Sequence, residues 1–189
     1  MDFDSRIAVA EDPRVYRPSE DSLLLLDSIV LERGERFLEV GTGTGLVALH
    51  AARLGPAVAT DANRVAAALA QDNARRNGLP LQVVRTNLAA GVRGPFDVVA
   101  FNPPYLEGRP RDELDRAWSG GDQGSEVSVR FLKDLPRILR PGGRAYLLLS
   151  RENREARALA ESAFRSRLLT SKRLFFEDLD VLELTRRGP

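Results

Sequence analysis

Four consecutive residues, Asn102-Pro103-Pro104-Tyr105, carry the most specific chemistry in the chain. They follow the apolar run Phe96-Asp97-Val98-Val99-Ala100, which reads as a buried strand. The tetrad thus occupies the turn at a strand's carboxyl end, where open α/β sheets place their ligands. A residue before proline is pushed out of the helical region, which keeps Asn102 and Pro103 extended. Neither proline has an N–H. The loop therefore offers the Asn102 side-chain oxygen and the Pro103 carbonyl as acceptors, with few local donors to occupy them. Such a pair suits a planar NH2 group, which has two protons to give. Tyr105 either packs on that planar group or braces the loop, as buried aromatics do.

A second constellation lies upstream. Arg36-Phe37-Leu38-Glu39-Val40 reads as a strand, Gly41-Thr42-Gly43-Thr44-Gly45 as a turn, and Leu46 to Arg53 as a helix ended by Gly55-Pro56. Glycines let a backbone approach a ligand closely, and the helix start presents free N–H groups. The spacing G-x-G-x-G, with an acid two positions before the first glycine, differs from the dinucleotide G-x-G-x-x-G and fits a ligand without a pyrophosphate. Ala57 to Asp61 is a second strand ending in an acid, about 20 residues on, where a carboxylate can accept from two ribose hydroxyls. The competing role for Asp61, capping the next helix, can be served by Asn63. Leu81 to Asn87 is a third strand, and Asn87 at its end reads equally as a turn residue or a ligand contact.

The remaining elements must position these groups. Pro18-Ser19-Glu20-Asp21-Ser22 before four leucines predicts a helix over 19–33, with Ser19 as N-cap, two acids at the positive end and Gly34 as the stop. Its polar start serves either packing alone or a ligand. A helix over 64–77 stops at Gly78 with Pro80 beyond. Residues 106–124 form a long loop, expected to bind substrate, and Trp118 within it reads first as a local packing anchor. Helix is predicted over 125–138, strand over 144–149, and an amphipathic helix over 152–164 with Ser150 as its cap. Strands over 168–176 and 179–185 flank Glu177-Asp178 as a hairpin. Residues 1–15 are expected to be a flexible arm, and His50, the sole histidine, sits inside a helix and is not a catalytic candidate. Five strand–helix alternations and a final hairpin imply an α/β fold, a mostly parallel sheet with one antiparallel strand.

Composition fits one domain of 189 residues. The 28 basic against 27 acidic side chains produce no net field, so nucleic acid is not favoured by charge. The chain has no cysteine, which excludes disulfides and thiolate metal sites. No run reaches membrane-spanning length and no leader peptide is apparent, so a cytoplasmic location is expected.

The order of these motifs resembles the class I S-adenosylmethionine-dependent methyltransferases: Glu39 to Gly45, then Asp61, then N-P-P-Y, the last similar to enzymes that methylate an amino group on a planar system. More narrowly, Val15-Tyr16-Arg17-Pro18-Ser19-Glu20-Asp21-Ser22 and Ala117-Trp118-Ser119-Gly120-Gly121 resemble the HemK-like release-factor glutamine methyltransferases, in their short archaeal and eukaryotic form. The resemblance runs from about residue 15 to 186. It implies a Rossmann-like, seven-stranded sheet with helices on both faces and a terminal antiparallel hairpin. It also implies S-adenosylmethionine as cofactor, with Glu39, Gly41 and Gly43 around its methionine part, Tyr16 and Ser22 closing over it, and Asp61 on the ribose. Asn87 and Leu88 would flank the adenine, where relatives commonly have Asp-Leu. An amide oxygen can still accept from the exocyclic amine. Asn102, Pro103, Pro104, Tyr105 and Trp118 would hold the substrate, with Asn102 also touching the cofactor and no metal involved.

The implied substrate is the glutamine of the Gly-Gly-Gln motif in a class I release factor. Adenine or cytosine amino methylation is the alternative, opposed by the balanced charge and the lack of a target-recognition domain. A lysine substrate needs a base, and none is apparent. A binding subunit without activity would have no use for Glu39, Asp61 and Asn102 together. Relatives of the short form work with a small zinc-binding activator that adds a strand to the sheet, and Leu81, Val83 and Val84 are the candidate edge.

Overall fold

The computed structural model describes residues 1–104, 125–174 and 177–188. Its strands are β1 Phe37–Val40, β2 Ala57–Asp61, β3 Leu81–Arg85, β4 Phe96–Phe101, β5 Leu139–Ser150, β6 Phe164–Leu174 and β7 Glu177–Arg186. The helices are α1 Glu20–Ser28, α2 Leu46–Ala52, α3 Arg64–Arg76, α4 Glu126–Ile138 and α5 Arg154–Ala163. One seven-stranded sheet has the order β3-β2-β1-β4-β5-β7-β6. Strands β1 to β5 pair in parallel, while β7 runs antiparallel to both β5 and β6. This is the doubly wound arrangement, and its strand order reverses between β1 and β4.

Two apolar cores hold the layers together, because successive residues of a strand point to opposite faces. Phe37, Val98, Ala100, Tyr146 and Leu148 face one core with Leu25 and Leu26 of α1 and Val47 to Leu49 of α2. Leu38, Val99, Phe101, Leu147 and Leu149 face the other with Phe131, Leu132 and Leu135 of α4 and Ala156 and Ala160 of α5. Each fully buried Leu or Phe contributes about 1.5–3 kcal/mol by leaving water.

Several boundaries differ from the sequence reading. Helix α1 stops at Ser28, not 33, because Ile29 turns extended and Val30 is drawn to β5: its N–H donates to Tyr146 Oη at 3.2 Å and its carbonyl accepts from Arg144. Strand β5 starts at Leu139, paired with Phe96, ahead of the Pro-Gly-Gly segment. Glu177 and Asp178 lie inside β7 rather than in the turn, since Leu174 pairs with Glu177 and Arg173 with Asp178. Strand β6 is bulged, with Leu169 extra between the Leu168–Leu182 and Thr170–Val181 pairs. Ser150 does not cap α5: its N–H donates to Asn153 Oδ1 and its Oγ accepts from Glu152 N–H, forming a turn before the helix.

Residues 1–15 lie against the body and do not form an arm. Asn73 of α3 and Asn77, the residue that caps its carboxyl end, act as surrogate strand partners. The Asn77 amide accepts from Ala8 N–H at 2.9 Å and donates to Ala8 O at 2.7 Å; Asn73 does the same for Ala10 at 2.9 and 3.1 Å. Asp4 N–H donates to His50 Nε2 at 3.0 Å, so His50 is a neutral anchor with Nδ1 against Leu46 O. Burial lowers its pKa further. Ile7 and Val15 complete the attachment by burying their side chains.

Candidate active site

The sheet register brings three chain exits together. Val40 pairs with Thr60 on one side and Phe101 on the other, so Gly41, Asp61 and Asn102 leave β1, β2 and β4 side by side at the carboxyl edge. A cavity of about 420 Å³ opens there, at the reversal of strand order. Of the residues singled out from the sequence, Tyr16, Ser22, Glu39, Gly41, Gly43, Asp61, Asn87, Leu88, Asn102, Pro103 and Pro104 all line it. Tyr105, Trp118 and the 106–124 loop lie outside the described residues.

The glycine turn is built for close approach. Gly41 and Gly43 have φ of 65° and 57°, where a side chain would be strained, and a Cβ on Gly41 would come within 3.2 Å of the Phe101 ring. Thr42 N–H donates to Thr60 O at 2.9 Å, and Gly43 N–H donates to Asp61 Oδ2 at 2.9 Å, tying the turn to β2. Asp61 Oδ1 accepts from Asn63 N–H at 2.8 Å, while Asn63 itself caps α3 by accepting from Val65 N–H. The cap and the cavity carboxylate are thus separate residues.

Glu39 is buried at the cavity wall, where its Oε2 accepts from Thr42 Oγ1 and from Ala48 N–H. Burial pushes its carboxyl up to about 8, against those two hydrogen bonds and with help from the nearby Asp61 charge. Burial also raises Asp61, despite N–H donors from Gly43, Asn63 and Ala62.

The opposite wall holds a hub that the sequence reading missed. Asp21 has the sequence position of an acid at a helix start, yet it is fully buried and gathers donors from several segments. Its Oδ2 accepts from Tyr16 Oη at 2.7 Å and Asn102 Nδ2 at 2.9 Å, and its Oδ1 from Ser19 Oγ and Ser22 N–H, both at 2.6 Å. Burial alone would raise Asp21; the bonds from Ser19, Asn102, Tyr16 and Ser22 outweigh it and hold the carboxyl below its ordinary value. Ser19 makes no side-chain cap of α1, because the Ser22 N–H that its oxygen would accept from donates to Asp21 Oδ1 instead.

A carboxylate only accepts, so the Asn102 amide must turn its NH2 toward Asp21. That leaves Asn102 Oδ1, which is buried without a hydrogen-bond partner among the described residues. A buried carbonyl in this state costs about 1–3 kcal/mol until a donor arrives.

At the far end, Arg130 of α4 lines the cavity and donates to Asn87 Oδ1 at 3.2 Å. The oxygen expected to be open at Asn87 therefore already receives a guanidinium. Leu88 next to it has φ of 51°, the sole non-glycine residue with positive φ among those described. A helical arginine 43 positions from Asn87 leaves no local sequence signal for this pairing.

The fold and this cavity define a methyltransferase. The chain belongs to the methyltransferase small-domain family, whose model matches residues 15–176. It is 35% identical over 183 residues to a Methanocaldococcus jannaschii protein named provisionally as a protein N5-glutamine methyltransferase, covering 92% of this chain and 93% of that one. It is 34% identical to Homo sapiens methyltransferase HEMK2, over 91% and 90% of the two chains. Among solved structures, it is similar to the E. cuniculi Mtq2–Trm112 complex, described as methylating the eRF1 translation termination factor. The TM-score is 0.74 at 27% identity, covering 92% of this chain and 99% of that one. No helix among the described residues is long and apolar enough to cross a membrane.

Proposed function

We propose that this chain is an S-adenosylmethionine-dependent protein-glutamine N5-methyltransferase acting on the Gly-Gly-Gln motif of a class I release factor. The observation that carries the reading is Asn102 Oδ1, a buried acceptor without a partner among the described residues, on a side chain that lines the same cavity as the glycine turn. The cavity residues fit the cofactor. Glu39 and Asp61 are carboxylates whose burial is not fully offset by protein donors, as suits a ligand bringing an ammonium and hydroxyls. Gly41 and Gly43 leave backbone room, and Tyr16 and Ser22 stand on the facing wall. Asn87 and Leu88 would take the adenine end.

The bound cofactor supplies one thing, a methyl carbon on a sulfonium sulfur, which keeps the bonding pair when nitrogen attacks. Everything else falls to the protein. An amide nitrogen is a poor nucleophile because its lone pair is shared with the carbonyl. Asn102 Oδ1 and the Pro103 carbonyl would accept its two N–H bonds, fix the plane of the amide, and stabilise positive charge growing on nitrogen. Tyr105, Pro104 and Trp118 would flank the amide, and the spent proton leaves to water.

Strand β3 supports an activator partner. It is one of the two sheet edges, regular and five residues long, with Leu81 buried and Val83 and Val84 half-buried. An added strand would extend it by backbone pairing. The similar Mtq2 structure contains Trm112. Incubation of a release factor with the chain, that partner and labelled cofactor, followed by peptide mass spectrometry, is expected to find one methyl on the motif glutamine. An unmodified glutamine, with oligonucleotides methylated instead, would overturn the reading in favour of a base amine.

A further inference from the structure

We propose that Asp21 is a positioning residue: it sets the flip of the Asn102 amide so that Oδ1, and not the NH2, is presented to the incoming amine. This deepens the reading above and rests on it for the identity of that amine.

The side chain of asparagine is nearly symmetric in shape but opposite in hydrogen bonding on its two arms. A substrate NH2 needs the oxygen arm. Neither proline of the motif decides which arm faces inward, because the two provide no donor to hold the oxygen and no side-chain acceptor to hold the NH2. The decision comes from 81 positions upstream, where Asp21 Oδ2 accepts from Asn102 Nδ2 at 2.9 Å. Flipping the amide would set its oxygen against a carboxylate oxygen at that distance, a repulsion strengthened by burial.

Asp21 is in turn prevented from moving or reorienting. Tyr16 Oη shares Oδ2 with Asn102, and Ser19 Oγ, Ser22 N–H and Ser22 Oγ (at 3.2 Å) converge on Oδ1. The hydroxyl of Tyr16 also lies 3.0 Å from Ser19 Oγ, closing the ring of contacts. With the first turn of α1 fixed against β4 in this way, the strand end carrying Asn102 and the helix start carrying Asp21 act as one rigid unit. The open Oδ1 is the product of the arrangement: the carboxylate holds the Asn102 NH2, and among the described residues no donor reaches its oxygen.

The test is a double-mutant cycle with Asp21→Asn, Asn102→Ala and the pair, read as kcat/KM for methyl transfer and as cofactor affinity by calorimetry. Asp21→Asn is nearly isosteric and presents its own NH2 or oxygen, so the Asn102 flip becomes undetermined. Alone it is expected to lower kcat about tenfold to a hundredfold, with cofactor affinity changed by less than about threefold. On top of Asn102→Ala it is expected to cost no more than about twofold, since no amide remains to orient. Equal losses in both backgrounds would show Asp21 to be only structural, and would overturn the proposal. A second readout needs no substrate. In the ¹⁵N-labelled wild-type chain the Asn102 side-chain NH2 is expected to exchange slowly with solvent and to be hydrogen-bonded, and Asp21→Asn should release it. An Asn102 NH2 equally protected in both proteins would also overturn the proposal. A wild-type chain that leaves glutamine unmodified but shows the protected NH2 would reject the substrate and keep the geometry.

Discussion

Asp21 and Glu39 are buried carboxylates on facing walls of one cavity, and the protein treats them in opposite ways. Asp21 collects donors from Tyr16, Ser19, Ser22 and Asn102, enough to hold its charge below the ordinary carboxylate range in spite of burial. Glu39 is pushed up to about 8 by burial, with only Thr42 and Ala48 opposing and the Asp61 charge adding to the rise. Folding alone completes the first group; the second is left short of positive partners. This difference separates a carboxylate whose charge is held by its neighbours from one whose charge is not, and exposure alone would not have told them apart, since both are buried.

The largest effect that could break this comparison is in stability. Asp21→Ala strands the donors of Tyr16, Ser22 and Asn102 in a buried site, and it is expected to cost about 3–5 kcal/mol by chemical denaturation. A loss below about 1 kcal/mol would place Asp21 with Glu39 instead.

Glu39→Gln is expected to act with the opposite sign. The carboxyl titrates near 4.5 ordinarily and about 8 in the folded chain, so the fold binds the proton longer than the unfolded chain does. Stability from the neutral carboxyl is full below the unfolded value and is lost as pH rises through the folded one. The ligand-free variant should therefore exceed wild type by on the order of 2 kcal/mol at pH 6, with the gain vanishing near pH 4.5. Denaturation midpoints across that range give the comparison, and a gain that does not change with pH would refute the assignment.

The smallest effect tests the proposed role of Glu39 as a ligand group. A cationic ligand needs the carboxylate, so cofactor affinity is expected to rise by up to about tenfold per pH unit between pH 6 and 8 and to flatten above. Calorimetry in two buffers of different ionisation heat should detect about one proton released near pH 7. Affinity independent of pH in wild type would remove Glu39 from the ligand.

Much of this was legible in the sequence. Strands β1, β2 and β4 were readable because each is an apolar run stopped by a residue with a distinct local requirement: Gly41, Asp61, and Asn102 before proline. The cavity wall followed from their order. What escaped was every pairing made across the fold. Asp21 looked like a favourable acid at a helix start, and nothing local ties it to Asn102. Ser19 carries a sound capping signal, but the Ser22 N–H that it would accept from goes to the Asp21 carboxylate. Asn73 and Asn77 read as polar residues on a helix surface, so the attachment of residues 8 and 10 was invisible. Asn87 was recognised as unusual, but Arg130, which explains where its oxygen points, lies beyond any local window.

The bulge in β6 has a bearing on how the chain behaves in a crowded solution. Arg165, Arg167, Lys172 and Arg173 project from this edge strand, and the extra residue at Leu169 breaks the even spacing of its backbone groups. Two copies meeting through β6 would oppose like charges while their amides and carbonyls fell out of step, so this side resists open-ended stacking. Growth of the sheet from one chain to another would have to start from its opposite margin, β3.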